Sequence, residues 1–151
     1  MSEMTGRIDT NEFSRKLGLT STELMQHMQQ MAKEGLLKKV GGGFALTNKA
    51  RLVLKASSPV AWNMRFNFYT ELGQPTGVSA GTVKEFRDLA LKVNETSLEF
   101  HLYRGDFENW FSTSVSDSVF AAELAKIQKR NLKGEDLRKA IVTTLEARYS
   151  L

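Results

Sequence analysis

Between Thr20 and Thr47 the spacing of apolar positions changes twice, from a helical period to strand-like runs and back. Leu24, Met28 and Met31 recur at helical spacing, and Met25 and Ala32 widen the stripe. Thr20 and Glu23 stand at capping-box spacing, which predicts a helix over Ser21 to Glu34. Gly35 suits the left-handed residue that ends such a helix. Leu36, Leu37 and Val40 then read as a short strand, Gly41-Gly42-Gly43 as a tight reversal, and Phe44-Ala45-Leu46 as the returning strand. Thr47 is placed to cap a further helix, Asn48 to Ala56. Upstream, Thr10 can cap a helix over Asn11 to Leu17, with Phe13 and Leu17 on one side and Gly18 at its end. Ile8 is available for a short third strand.

Ser57-Ser58-Pro59 breaks the helical pattern, because proline cannot continue the hydrogen-bond ladder and turns Ser58 away from helix. The expected domains are therefore 1–57 and 58–151. In Ala61 to Thr70, Met64, Phe66 and Phe68 alternate with Arg65, Asn67 and Tyr69, the pattern of a half-buried strand. Leu72 to Ala80, with Gly73, Pro75 and Gly77, reads as a loop. A helix is expected from Thr82 to Val93, turning Val83, Phe86, Leu89, Ala90 and Val93 inward. From Ser97, Leu98, Phe100 and Leu102 alternate with Glu99, His101 and Tyr103, so a second strand is the direct reading. A helix stays open there, because Leu98 and Leu102 are also four apart. Arg104-Gly105-Asp106 reads as a turn, with Asp106 capping a helix that carries Phe107, Trp110 and Phe111. A helix from Ser116 or Asp117 carries Val119, Phe120, Leu124 and Ile127. A final helix from Glu135 to Tyr149 aligns Leu137, Ile141, Leu145 and Tyr149. The fold class is α+β, with a small, mainly helical second domain.

The stretch EFSRKLGLTSTELMQHMQQMAKEGLLKKVGGGFALTNKAR resembles the winged helix-turn-helix of prokaryotic and archaeal transcription regulators. Leu17-Gly18-Leu19-Thr20 resembles the family's turn. Met31 to Leu37 resembles its helix-to-strand exit, and Leu46-Thr47-Asn48-Lys49-Ala50 its last strand and following helix. The helix that usually precedes this unit has no counterpart in the ten residues before Asn11, so Asn48–Ala56 or the second domain must complete the core. The resemblance implies that the helix from Ser21 enters the major groove of double-stranded DNA. Ser21, Thr22, Gln26, Gln29, Gln30 and Lys33 would then face base edges or phosphates, since Gln can bond an adenine edge twice and Lys reaches guanine or phosphate. Lys38 and Lys39 would lie on the wing, with Lys49 and Arg51 reaching phosphates beside it. Further on, Phe-His-Leu-Tyr-Arg-Gly-Asp-Phe-Glu-Asn-Trp, from Phe100 to Trp110, resembles an uncharacterised small domain of archaeal and bacterial proteins. That likeness implies no activity.

Charge agrees with the nucleic-acid reading. The net charge is +4, and residues 1–56 hold nine Lys or Arg against five Asp or Glu, so the whole excess falls on the first domain. The absence of cysteine excludes disulfide and thiolate chemistry. No apolar run reaches membrane-spanning length and MSEMTGRIDT lacks a signal-peptide core, so the expected compartment is the cytoplasm. Catalysis would centre on Glu99, His101, Asp106 and Glu108, but no nucleophile or oxyanion motif accompanies them. His27 has no second ligand at metal spacing, and the glycines of residues 72–80 lack the spacing of a phosphate cradle. The expectation is a DNA-binding transcription regulator that is not an enzyme, needs no cofactor, and uses its C-terminal domain to form a homodimer, sense or recruit. The alternative is an interaction adaptor whose winged helix docks on protein or a ribonucleoprotein.

Overall fold

The computed structural model describes residue 18, residues 20–40 and residues 43–151, with the side chains of Ser21 and Lys39 excepted. The expected strand at Ile8, the helix Asn11–Leu17 and the reversal at Gly41-Gly42 lie outside the described residues. Among these residues the fold is mixed α+β, with seven α-helices and two antiparallel two-stranded sheets. The chain divides into two compact units, Met1–Val53 and Leu54–Leu151.

In the first unit, helix α1 spans Ser21–Lys33 and opens on a complete capping box. The Glu23 N–H donates to Thr20 Oγ1 at 3.1 Å, and the Thr20 N–H donates to Glu23 Oε2 at 3.2 Å. Gly35, at φ +79°, turns the chain out of the helix, and the Leu36 N–H returns to the Met31 carbonyl at 2.9 Å. Strands β1 (Leu37–Val40) and β2 (Gly43–Leu46) then pair, with Leu37 opposite Leu46 and Val40 opposite Gly43. Thr47 Oγ1 accepts from the Ala50 N–H at 3.2 Å at the start of α2 (Asn48–Ser57) and donates to the Gly35 carbonyl at 2.7 Å. Leu24, Met28, Leu37 and Phe44 form the core, with Met31, Ala32 and Leu46 packed beside it. Met25 lies outside this stripe at 45% exposure, because the hairpin meets α1 along Leu24 and Met28.

In the second unit the end of α2 is followed by a short 3-10 turn, Trp62–Met64, and the hairpin β3 (Phe66–Glu71) and β4 (Gln74–Ala80). Met64 therefore stands before the strand and half exposed, not within it. The expected loop at residues 72–80 is mostly strand. Gly73 turns the hairpin at φ +78°, and Gly77 sits within β4 at φ +85°, where the pairing is irregular. Most of β4 is exposed, so no apolar alternation announced it.

Helix α3 spans Val83–Ala90, capped by Thr82, whose Oγ1 accepts from the Glu85 N–H at 3.0 Å. The segment expected as a second strand is helix α4, Glu95–Arg104. Asn94 starts it by accepting the Thr96 N–H at 2.8 Å, and it buries Leu98, His101 and Leu102 on one side. Gly105, at φ +81°, ends α4 and begins α5 (Asp106–Thr113), so Asp106 is the first helical residue and not the expected cap. Asp117 caps α6 (Ser118–Lys129), which leaves Val119 exposed rather than inward. Helix α7 (Gly134–Tyr149) sinks Leu137, Ile141, Leu145 and Tyr149 fully into the core. Phe66, Phe68, Phe86 and Phe107 meet in edge-to-face and tilted pairs, and Trp110 stacks on Phe86 at 5.5 Å between centroids.

Candidate functional site

On α1, Thr22, Gln26, Gln29 and Lys33 lie together on the side away from buried Leu24 and Met28, and all four are exposed. Gln30 flanks them and donates to Glu34 Oε1 at 3.2 Å. Lys49 is held at the C-terminal end of α1, where its Nζ donates to the Glu34 carbonyl at 3.0 Å. Lys38 on β1 and Arg51 on α2 are exposed, and neither forms an ion pair or hydrogen bond with the α1 face among the described residues. The side chains of Ser21 and Lys39 are outside the description.

The titratable neighbours of the second unit take a different arrangement from the expected strand. Helix α4 carries His101 inward, at 4% exposure, so it does not share an outward face with Glu99. The Tyr69 N–H donates to His101 Nε2 at 2.7 Å. Nε2 is thereby an acceptor, which puts the ring proton on Nδ1, and Nδ1 donates to Asp106 Oδ2 at 2.8 Å. Both ring nitrogens are engaged, and the imidazole bridges β3 to the α4–α5 corner. Burial pushes the His101 pKa below its ordinary 6.5 and outweighs the opposing pull of Asp106. Among the described residues no three His, Cys, Asp or Glu side chains gather as metal ligands.

His101 and Asp106 form part of the wall of a cleft of about 400 Å³ within this unit. Arg65, Tyr69, Arg104 and Trp110 also line it. Arg65 and Arg104 are not among the site residues expected from the sequence. Their signal was present, since Arg65 alternates with buried Phe66 and Arg104 follows Phe100 by one helical turn. A second polar cluster is buried nearer α7. The Arg148 guanidinium donates from Nε and Nη2 to the two Asp117 oxygens at 2.7 and 2.8 Å, and the Tyr149 hydroxyl donates to the same carboxylate. Burial alone would raise the Asp117 pKa, but Arg148, Tyr149 and the Phe120 N–H together hold it below the usual carboxylate range. Both Asp117 oxygens are taken within the protein by Arg148 and Tyr149, which makes the cluster a structural tie.

The second unit is thus a small α+β domain with an aromatic interior and an open cleft. The profile of a family of unknown function, DUF5752, matches residues 63–151, and the chain belongs to that family. No curated protein and no solved structure matches the chain. No described helix is long and apolar enough to cross a membrane.

Proposed function

We propose that the chain is a cytoplasmic DNA-binding protein, a transcription regulator whose first unit works as a winged helix. The observation that carries the reading is the α1 face of Thr22, Gln26, Gln29 and Lys33, exposed while the opposite stripe is buried. Three polar side chains that can bond base edges and one cation stand on one side of a capped helix, followed by a hairpin bearing exposed Lys38. The excess positive charge of residues 1–56 adds the phosphate attraction that such a surface needs. In this reading the second unit contributes regulation and not catalysis, and the engaged His101 nitrogens support that division.

The test is binding of the full chain to random duplex DNA at low and at near-physiological salt. Binding is expected to weaken steeply with salt, and the double variant Lys33→Glu/Lys38→Glu is expected to bind at least about tenfold more weakly with a shallower salt slope. Absence of binding at low salt overturns the proposal.

A further inference from the structure

We infer that the cleft of the second unit binds a small organic monoanion, a carboxylate carried on an aromatic or aliphatic body. The inference stands on this cleft and does not rest on the DNA-binding reading. Its volume of about 400 Å³ falls in the range of small-molecule sites.

The anion's partner is Arg104. Its guanidinium lies over the Phe100 ring, with Cζ 4.7 Å from the centroid, and its Nε faces Asp106 Oδ2 at 3.3 Å. Neither Nη atom makes a hydrogen bond among the described residues, so the outer edge of a planar fork is available to a carboxylate. Arg65 is differently placed. Its Nε and Nη2 donate to the Ser79 hydroxyl and carbonyl, both at 3.0 Å, and Nη2 meets Glu85 at 3.4 Å. Gly81 makes room for it, since a Cβ there would stand 2.3 Å from Arg65 Nη1. Arg65 is therefore a fixed wall, balanced by Glu85 outside the cleft lining, whereas Arg104 is paired with Asp106 through Nε only and keeps its Nη edge open.

The charge around Arg104 selects a single negative charge. Asp106 stands beside it, hydrogen-bonded to His101 Nδ1, and partly offsets its charge, so a ligand with two negative charges is repelled more than one with a single charge. The remaining lining suits an apolar body. The Trp110 ring is held by its Nε1–H donating to the Met64 carbonyl at 2.7 Å, and it faces the cleft with Phe100 and Tyr69. Leu72 stands at the rim on the hairpin turn at 77% exposure, apolar surface that a bound ligand would cover. The Asn109 side chain makes no hydrogen bond among the described residues and offers an amide to a polar substituent.

The experiment titrates the isotopically labelled full chain with phenylacetate and follows the Trp110 indole N–H and the Asn109 side-chain amide by NMR. Saturable shifts in the millimolar range are expected, as suits a ligand of this size. Phenylacetamide, the neutral isostere, and phenyl phosphate, mostly a dianion, are each expected to bind at least about tenfold more weakly. Arg104→Gln is expected to reduce phenylacetate affinity by a similar factor. If that variant alters the unliganded spectrum throughout the unit, Arg104→Lys replaces it, keeping the charge without the fork, and a loss of at least about threefold supports the site. The inference is overturned by any one of three results: no saturable shift, phenylacetamide or phenyl phosphate binding as tightly as phenylacetate, or affinity unchanged in the variant.

Discussion

In the first unit, Thr20, Thr47 and Lys49 make their hydrogen bonds at the ends of helix α1 and helix α2, close to water. In the second, Asp117 and His101 make theirs inside the core, at 4% exposure each. The apolar interiors differ in the same sense. Among the described residues the first buries Leu24, Met28, Leu37 and Phe44 with the small Ala45 and Ala50, while the second sinks Phe68, Phe86, Phe107, Phe111, Phe120 and Tyr149 almost completely. An exposed end anchor decides where the chain turns and can be replaced by water when it is lost. A buried anchor ties segments far apart in sequence, and its loss strands a partner in a medium that cannot solvate it. The two units thus have similar kinds of polar contact with different consequences.

The sharpest way to break this contrast is Asp117→Ala. It leaves the Arg148 guanidinium and the Tyr149 hydroxyl without their acceptor, and a loss of about 3–5 kcal/mol is expected in chemical denaturation of the second unit. A loss below about 1 kcal/mol would mean that water reaches Asp117 and that its burial is not what makes it matter.

Acid should separate the two buried anchors. The folded pKa of each lies below its ordinary value, so the unfolded chain takes up a proton more readily than the folded one. Stability present at neutral pH is then lost as pH falls, beginning below 6.5 for His101 and below 3.8 for Asp117. His101→Gln is expected to flatten the upper part of this profile and leave the lower part intact, as read by denaturation midpoints across pH. An unchanged upper part would show that His101 protonates in the folded state without cost.

The smallest effect belongs to the first unit. Thr20→Ala removes the acceptor of the Glu23 N–H and should cost about 1 kcal/mol. It should appear as faster amide exchange in the first turn of α1, with α6 unaffected.

The same contrast explains what could be read from the chain. Thr20, Glu23, Gly35 and Thr47 announce the ends of their elements through local geometry, and helix, strand, strand and helix follow in the expected order. In the second unit, Leu137, Ile141, Leu145 and Tyr149 keep a clear helical period because α7 buries a single stripe. The segment from Ser97 was harder, since Leu98 and Leu102 satisfy both periods and half-buried Phe100 completes the alternation of a strand. Asn94, whose side chain accepts the Thr96 N–H, was the deciding local signal. Strand β4 carries almost no apolar pattern and is defined by its pairing with β3. The cleft depends on the approach of Arg65, just before β3, and Tyr69 on β3 to Arg104 and Trp110 from two helices, a juxtaposition with no local spacing to mark it.

The bond from the Tyr69 N–H to His101 gives one backbone proton an uncommon partner. A strand amide ordinarily exchanges with solvent when its sheet opens. This one is held by a side chain of α4, a ring itself fastened to Asp106 across Gly105. Its exchange therefore times the opening of the α4–α5 corner, and the Tyr69 amide becomes a clock for one side of the cleft.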